Sequence, residues 1–560
     1  MAGSWSALTN QPSFSANAML LLTDGTVMAQ EVATQNWWRL TPDAFGSYVS
    51  GTWSTRATGP NAPTYFASAV LRDGRVFVSG GEDNFGNNGI DIADTEIYDP
   101  VADAWTTIAS PPGWTNVGDA PCCLLPDGTV LLGSIFDTRT AIYDPVADAW
   151  AAGAAKNDAS SEETWTLLPD GTVLVAECSR HPSSEKFVPA AGAWVSAGSV
   201  PVANDLVQSS VGSSNEIGPA IVMTDGSVFA IGASGHTAIY TMPAIANQPG
   251  SWAGGPDFPT DGNGNLMQAF DAPAVLLPNG RALCIAGQVL GDGWAGSPSL
   301  AFEFDGTSLA AVPAPPNGAG VETWQMRMLL LPTGEVLASN RGNDMRVYAP
   351  DGAPDPSWAP SITSAPASVR PNYTYTIEGR QLNGLSQANS YGDDATMATN
   401  FPLVTIANDI TGHVFYCRTH DFSTMAVATG SVVHSAQFDV PSYAELGAST
   451  LCVIANGIAD CRSVLVNNKI WKELKWELKE NFKIERDVIV KSLVSEIPKF
   501  KDNEGDPWQQ YEGDPEWLQA INMLAERADA LQQEVIELRT FIRGTERPDV
   551  GGAALREPGA

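Results

Sequence analysis

Seven times in this chain a short apolar run breaks at a tight polar turn and resumes as a second apolar run. The stretches are LLLTDGTVMAQ, AVLRDGRVFVSGG, CLLPDGTVLLG, TLLPDGTVLVAE, IVMTDGSVFAIG, VLLPNGRALCIAG and LLLPTGEVLAS. Two apolar strands around an Asp-Gly or Asn-Gly type turn are the strongest short-range hairpin signal. The turn glycines are Gly25, Gly74, Gly128, Gly171, Gly226, Gly280 and Gly334, and successive ones lie 43 to 55 residues apart. That period fits one four-stranded propeller blade, so the repeat predicts an all-β fold with seven blades.

Third and fourth strands follow most hairpins. IYDPVADAW, with Tyr98 and Trp105, recurs with Tyr143 and Trp150; Phe187 with Trp194 and Tyr240 with Trp252 continue the pattern. Blade seven has Tyr348 in MRVYAP but no tryptophan strand after it, whereas GSWSALT at Gly3 to Thr9 is an outer strand with no hairpin before it. The N-terminal strand is therefore expected to close the last blade and leave no open sheet edge.

From about Trp358 the pattern becomes short β-rich runs between turns, which reads as a sandwich domain of roughly a hundred residues. The expected division is 1–355 propeller, 356–467 immunoglobulin-like sandwich, 468–513 Lys/Glu-rich amphipathic segment, 514–544 helix and 545–560 flexible or docking end. Only Lys156 and Lys186 precede Asn468, yet eight lysines lie between Lys469 and Lys501, a shift that marks a separate module. In that segment Ile470, Leu474, Trp476, Leu478, Phe482 and Ile484 alternate as in a strand, and four of them also fit a drifting helical stripe. Asp514 and Pro515 suit a helix start. Beyond them Ile521, Ala528, Val535 and Ile542 take a positions and Leu524, Leu531 and Leu538 take d positions, the pattern of a short parallel coiled coil or of an amphipathic helix packed on its own chain.

The 560 residues carry a formal charge of −33, which argues against nucleic acid or an anionic membrane as partner. Seven cysteines, two of them adjacent at Cys122-Cys123, are read as small buried apolar residues rather than a disulfide framework. The N-terminus has no basic and apolar leader, and no run approaches eighteen apolar residues. A soluble chain is expected, without membrane insertion, cytoplasmic or part of an assembly unless a leader has been removed.

Hairpin, GG, YDP and W at this period resemble kelch repeats. A seven-bladed kelch propeller followed by an immunoglobulin-like domain resembles, over about residues 1 to 467, the galactose oxidase and glyoxal oxidase group of copper radical oxidases. The resemblance implies one copper at the propeller axis held by two tyrosines and two histidines, with a cysteine thioether on one tyrosine. Of those positions Tyr65 matches a tyrosine ligand, and His420 in YCRTHDFST matches the histidine of a sandwich hairpin that reaches into the channel. Ala16 stands where the cysteine should be, and Trp324 and Gln325 stand where the adjacent tyrosine and histidine should be. The copper site is therefore expected to be lost, with no cofactor.

Asp119, Glu162, Glu216 and Asp271 lie just before inner strands and should ring the channel mouth, either as calcium ligands or as solvated loop acids. DGNGN at Asp261 to Asn265 lacks the later residues of a calcium loop and reads as a plain turn. No nucleophile elbow, zinc-type histidine spacing, Cys-x-x-Cys pair or phosphate loop occurs, and His181 and His236 read as surface polar contacts. The favoured expectation is a non-catalytic binding or structural assembly protein, its head multimerised or docked onto a larger assembly through the C-terminal tail. Its partners would be protein or self through the tail and a glycan on the head. The alternative is an enzyme using the channel, carbohydrate-active or a residual copper oxidase.

Overall fold

The computed structural model describes residues 3–83, 90–208, 215–290, 293–391 and 397–468. The chain divides into two compact units, Met1–Asn468 and Lys469–Ala560. The amphipathic segment, the helix with its a and d positions and the flexible end all fall in 468–560, essentially outside the described residues.

Seven antiparallel four-stranded units make up residues 4–349. Blade 1 comprises Ala16–Leu21, Val27–Glu31, Trp37–Thr41 and Thr52–Thr55, and blades 2 to 6 follow in chain order. Blade 7 takes Arg327–Leu330, Val336–Ser339 and Arg346–Ala349 from its own repeat and Ser4–Ala7 from the N-terminus, with Trp5 opposite Tyr348. The first and last parts of the ring are thus hydrogen-bonded to each other, and no blade edge is left at the seam.

The hairpin glycines have φ between 75° and 91°, the left-handed region that glycine enters at no steric cost. The turn aspartate fixes the bend: Asp24, Asp127 and Asp170 each accept from the backbone N–H and the hydroxyl of the threonine two residues on. Inner strands are buried on both faces between neighbouring blades, which is why they read as unbroken apolar runs. Outermost strands such as Ser4–Ala7 and Ala149–Ala152 are mostly exposed and hold one half-buried tryptophan each.

That tryptophan joins blade to blade. It lies directly across from the aromatic of the third strand, with ring centroids 5.1 Å apart for Tyr98–Trp105 and for Tyr143–Trp150. Its indole N–H reaches a backbone carbonyl just beyond the outer strand of the preceding blade. Trp5 donates to Pro313 at 2.7 Å, Trp53 to Asn10 at 3.1 Å, Trp105 to Ala57 at 3.1 Å and Trp150 to Ala109 at 2.6 Å. Blades 4 and 5 depart from this, since the Trp194 N–H has no acceptor and the Trp252 N–H donates to Ser184 Oγ at 2.8 Å.

Residues 361–466 form a two-layer immunoglobulin-like sandwich. Ser361–Ser364, Thr374–Arg380 and Val433–Asp439 make one sheet; Leu403–Asn408, Gly447–Ala455, Ile458–Val466 and the parallel Ser368–Val369 make the other. Val414–His420 crosses between them, pairing through Cys417 with the second sheet and from Arg418 with the first. The cysteine expectation needs correction here. Five cysteines are free and buried, but Cys452 and Cys461 form a disulfide. The Asn456-Gly457 turn, with both residues left-handed, places them opposite one another at a Cα separation of 4.1 Å.

Between its first strands the sandwich sends a segment into the propeller. Asn389–Ser390 adds to the inner edge of blade 6, and Ala388 O accepts from Leu276 N at 2.7 Å. Gln387 Oε1 accepts from Leu167 N of blade 4 at 2.8 Å, Ser390 Oγ from Ala220 N of blade 5 at 3.2 Å, and Asn389 Oδ1 from Leu330 N of blade 7 at 2.7 Å. Inner-strand N–H groups that face the axis would otherwise need water, so this segment is an internal part of the ring.

Candidate functional site

The residue nine places before each turn glycine opens the inner strand of its blade at one end of the channel. Those residues are Ala16, Tyr65, Asp119, Glu162, Ile217, Asp271 and Gln325. Tyr65, Glu162 and Asp271 have φ of 55°, 56° and 39°, and Arg341 in the facing loop of blade 7 has 57°. Left-handed backbone at a non-glycine residue costs on the order of 1 kcal/mol and concentrates at binding and catalytic sites, which directs attention to this mouth.

On the side of blades 1, 2 and 7, Tyr65 and Trp324, two of the positions matched to the copper group, meet at Arg341. Its Nη1 donates to the Tyr65 hydroxyl at 2.8 Å, and its guanidinium stands 5.3 Å from the Tyr65 ring centroid and 4.9 Å from that of Trp324. Ala16, fully buried, donates its N–H to Gly342 O at 2.9 Å. Gln325 closes a capping box with Glu322, accepting its backbone N–H at 3.0 Å. The Trp324 carbonyl accepts from Tyr391 Oη at 2.7 Å and from Arg327 Nη1 at 2.6 Å, and the Arg327 guanidinium lies 3.8 Å over the Tyr391 ring.

His420 is elsewhere, which corrects its placement in the channel. Its Nδ1 is 3.0 Å from Asp421 Oδ2 and its Nε2 3.3 Å from Asp439 Oδ1. The preceding residues bind the hairpin turns of blades 1 and 2: Thr419 N donates to Thr23 O at 3.0 Å and Arg418 Nη2 to Asp73 O at 2.7 Å. Those turns lie a strand length, roughly 20 Å, from the end of the blade where Tyr65 sits. The segment that enters the channel is 387–391 instead.

The residues present do not fit a copper of the oxidase kind. Indole, amide and methyl groups replace two ligands and the cysteine, the remaining tyrosine is held by a guanidinium, and the histidine is at the other end of the blade. A fixed positive charge among the ligand positions opposes a second cation there.

On the side of blades 4 to 6, Glu162, Glu216 and Asp271 bring one carboxylate oxygen each to within 4.8 Å of one another. Asp119 is not in that group; it follows Gly118, whose carbonyl accepts from Gly81 N at 2.9 Å. Trp294 packs at a tilt against Phe270, the neighbour of Asp271, with centroids 4.9 Å apart. The Asp261–Asn265 stretch is a surface turn, in which the Asp261 carboxylate accepts from Asn263 N and Asn265 N at 2.8 Å each. His181 faces Asp205 and His236 faces Asp257, both at the surface of blades 4 and 5.

Sequence reasoning passed over Arg341 and, beneath Glu162, a second acid group. Lys156 Nζ is 2.6 Å from Glu163 Oε2, 3.6 Å from Glu185 Oε1 and 3.9 Å from Glu177 Oε2, with none of the four side chains more than 8% exposed. Burial pushes the Glu163 and Glu177 acids up, Lys156 opposing this in both. The Cys178 thiol, which donates to the Glu162 carbonyl at 3.0 Å, is raised by its own burial and then by Glu163, Glu162 and Glu216. The rarity of lysine before Asn468 was the available signal.

The kelch motif model matches residues 63–112, which span blade 2. No curated protein matches the sequence. Among solved structures, a fungal alcohol oxidase in complex with copper is 14% identical, with 83% of this chain and 99% of that one covered and a TM-score of 0.47. A catalytically inactive virginiamycin B lyase from Staphylococcus aureus with quinupristin is 9% identical over 62% of this chain and 99% of that one, with a TM-score of 0.43. The selenomethionine-substituted lyase gives 9%, 62%, 98% and 0.39.

Proposed function

We propose that this kelch-propeller chain is a non-catalytic binding or assembly protein. In this reading propeller and sandwich form one head, and the segment after Asn468 multimerises it or docks it onto a larger structure. The observation that carries it is Arg341, whose guanidinium lies between Tyr65 and Trp324 where a redox metal would need anionic and imidazole donors. Binding is then assigned to outer surfaces, with protein or a second copy at the tail and a glycan on the head. Light scattering on a sizing column tests this: the full chain should be a defined oligomer, and a chain ending at Asn468 a monomer. Equal masses for the two would remove the assembly role of the tail.

A second reading, an enzyme at the channel mouth, is favoured by the approach of Glu162, Glu216 and Asp271. Three carboxylates could serve as acid and base in glycan hydrolysis or as oxygen ligands for calcium. It predicts saturable turnover abolished by Glu216→Gln or Asp271→Asn, and rates unchanged by both substitutions would dismiss it.

A further inference from the structure

At the junction of blades 3 and 4 the chain buries one ammonium among four carboxylates. The side chains of Lys156 and Glu163 are 0% exposed and that of Glu177 1%. Nζ lies 2.8 Å from one Glu163 oxygen and 2.6 Å from the other, a bidentate ion pair with the carboxyl carbon at about 3 Å, so that attack needs only a turn of the nitrogen from the carboxylate plane to its face. Trp165 Nε1 donates to Glu163 Oε2 at 3.2 Å, and the Trp194 ring faces Nζ at 5.4 Å.

The other acids of the group are anchored by backbone donors: Asp158 by Ala159 N and Arg180 N, Glu185 by Asn157 N. Glu177 differs, because neither of its oxygens accepts a hydrogen bond. A carboxylate buried in that state costs more than a carboxylic acid does. Burial and the neighbouring carboxylates favour the protonated form of Glu177, which lies 3.9 Å from Nζ and as an acid shares a side-chain hydrogen bond with Glu185.

We propose that Lys156 and Glu163 join through an intramolecular amide. A proton crosses from Nζ to Glu163 along their hydrogen bond and leaves an amine facing a carboxylic acid. The nitrogen lone pair attacks Cδ, forming the N–C bond, while the Trp165 N–H donates to Oε2 as charge gathers there. Glu177 gives its proton to the departing Oε1 hydroxyl, which leaves as water, and takes the surplus proton from nitrogen. One ammonium and one carboxylate become one amide and one water, with no oxidation and Glu177 restored. Burial favours the product, because two buried charges are replaced by one neutral amide. The link would tie the chain leaving blade 3 to the stretch that carries Glu162 into the channel mouth.

Intact mass spectrometry of the full chain decides the matter without any assay. The amide predicts a mass one water below that of the sequence, and Lys156→Met at its full sequence mass. Trypsin should then leave 140–180 as a single looped peptide, since an acylated Lys156 is not cleaved. Wild-type peptides 140–156 and 157–180 released at their sequence masses would overturn the proposal. Glu177→Gln should release those two peptides in a substantial fraction; complete looping in that variant would overturn the role given to Glu177.

Discussion

Glu96, 3% exposed in the third strand of blade 2, accepts from Asn61 Nδ2 at 2.6 Å. Burial first, then the charge of Asp94, pushes its carboxyl up to about 7 from an ordinary value of 4.5. The folded state therefore prefers the protonated form. Its contribution is fully present below about 4.5 and is lost as pH rises through about 7. Glu96→Gln, neutral throughout, should be the more stable protein at pH 8 by up to about 3 kcal/mol and should match wild type at pH 4. Urea melts at the two pH values check this, and a constant difference would contradict it. Residues of this kind are where the sequence was hardest to read. Tyr65, Ala16, Trp324 and Gln325 could be placed by counting back from turn glycines, because the repeat fixes distance along the chain. Arg341 and Lys156 could not, because each lies in a connection outside the repeat.

The outer-strand tryptophan was legible at the level of the element, and its hydrogen bond was not. Trp150→Phe removes the donor to Ala109 O at 2.6 Å, whereas Trp194→Phe removes no hydrogen bond. Loss of that bond should make Trp150→Phe cost about 1 kcal/mol more, read as the larger fall in melting temperature. Equal losses would mean that the indole links add nothing to the packing of tyrosine on tryptophan. The disulfide shows a missed signal of another kind. Cys452 and Cys461 are symmetric about Asn456-Gly457, the same turn chemistry that announced the blades, so their pairing was readable once that turn was taken as a hairpin. The inserted segment 387–391 carries no such signature. Its Gln, Asn and Ser look like an ordinary loop until the inner-strand N–H groups they satisfy are in view.

For the whole molecule, propeller and sandwich are one hydrogen-bonded body. Asn389→Leu leaves the buried Leu330 N–H of blade 7 without its acceptor, at a cost of about 1 to 3 kcal/mol. Hydrogen exchange at Leu330 should quicken in that variant and stay slow in Asn389→Asp, which keeps the acceptor; unchanged exchange in both would show that the segment does not support the ring. The seven-blade ring and the domain that follows it were legible because hairpin turns and strand alternation are local. The direction of His420 was not, because it depends on which sandwich segment enters the channel. The central proposal is that the propeller axis takes no oxidase metal, because Arg341 stands among the positions matched to the copper ligands. The most direct test is to load the full chain with cupric ion, desalt it, and measure bound copper, tyrosyl radical signal and oxygen uptake with primary alcohols and aldehydes. The account predicts no stoichiometric copper, no radical and no uptake; one retained copper per chain with a tyrosyl radical would contradict it.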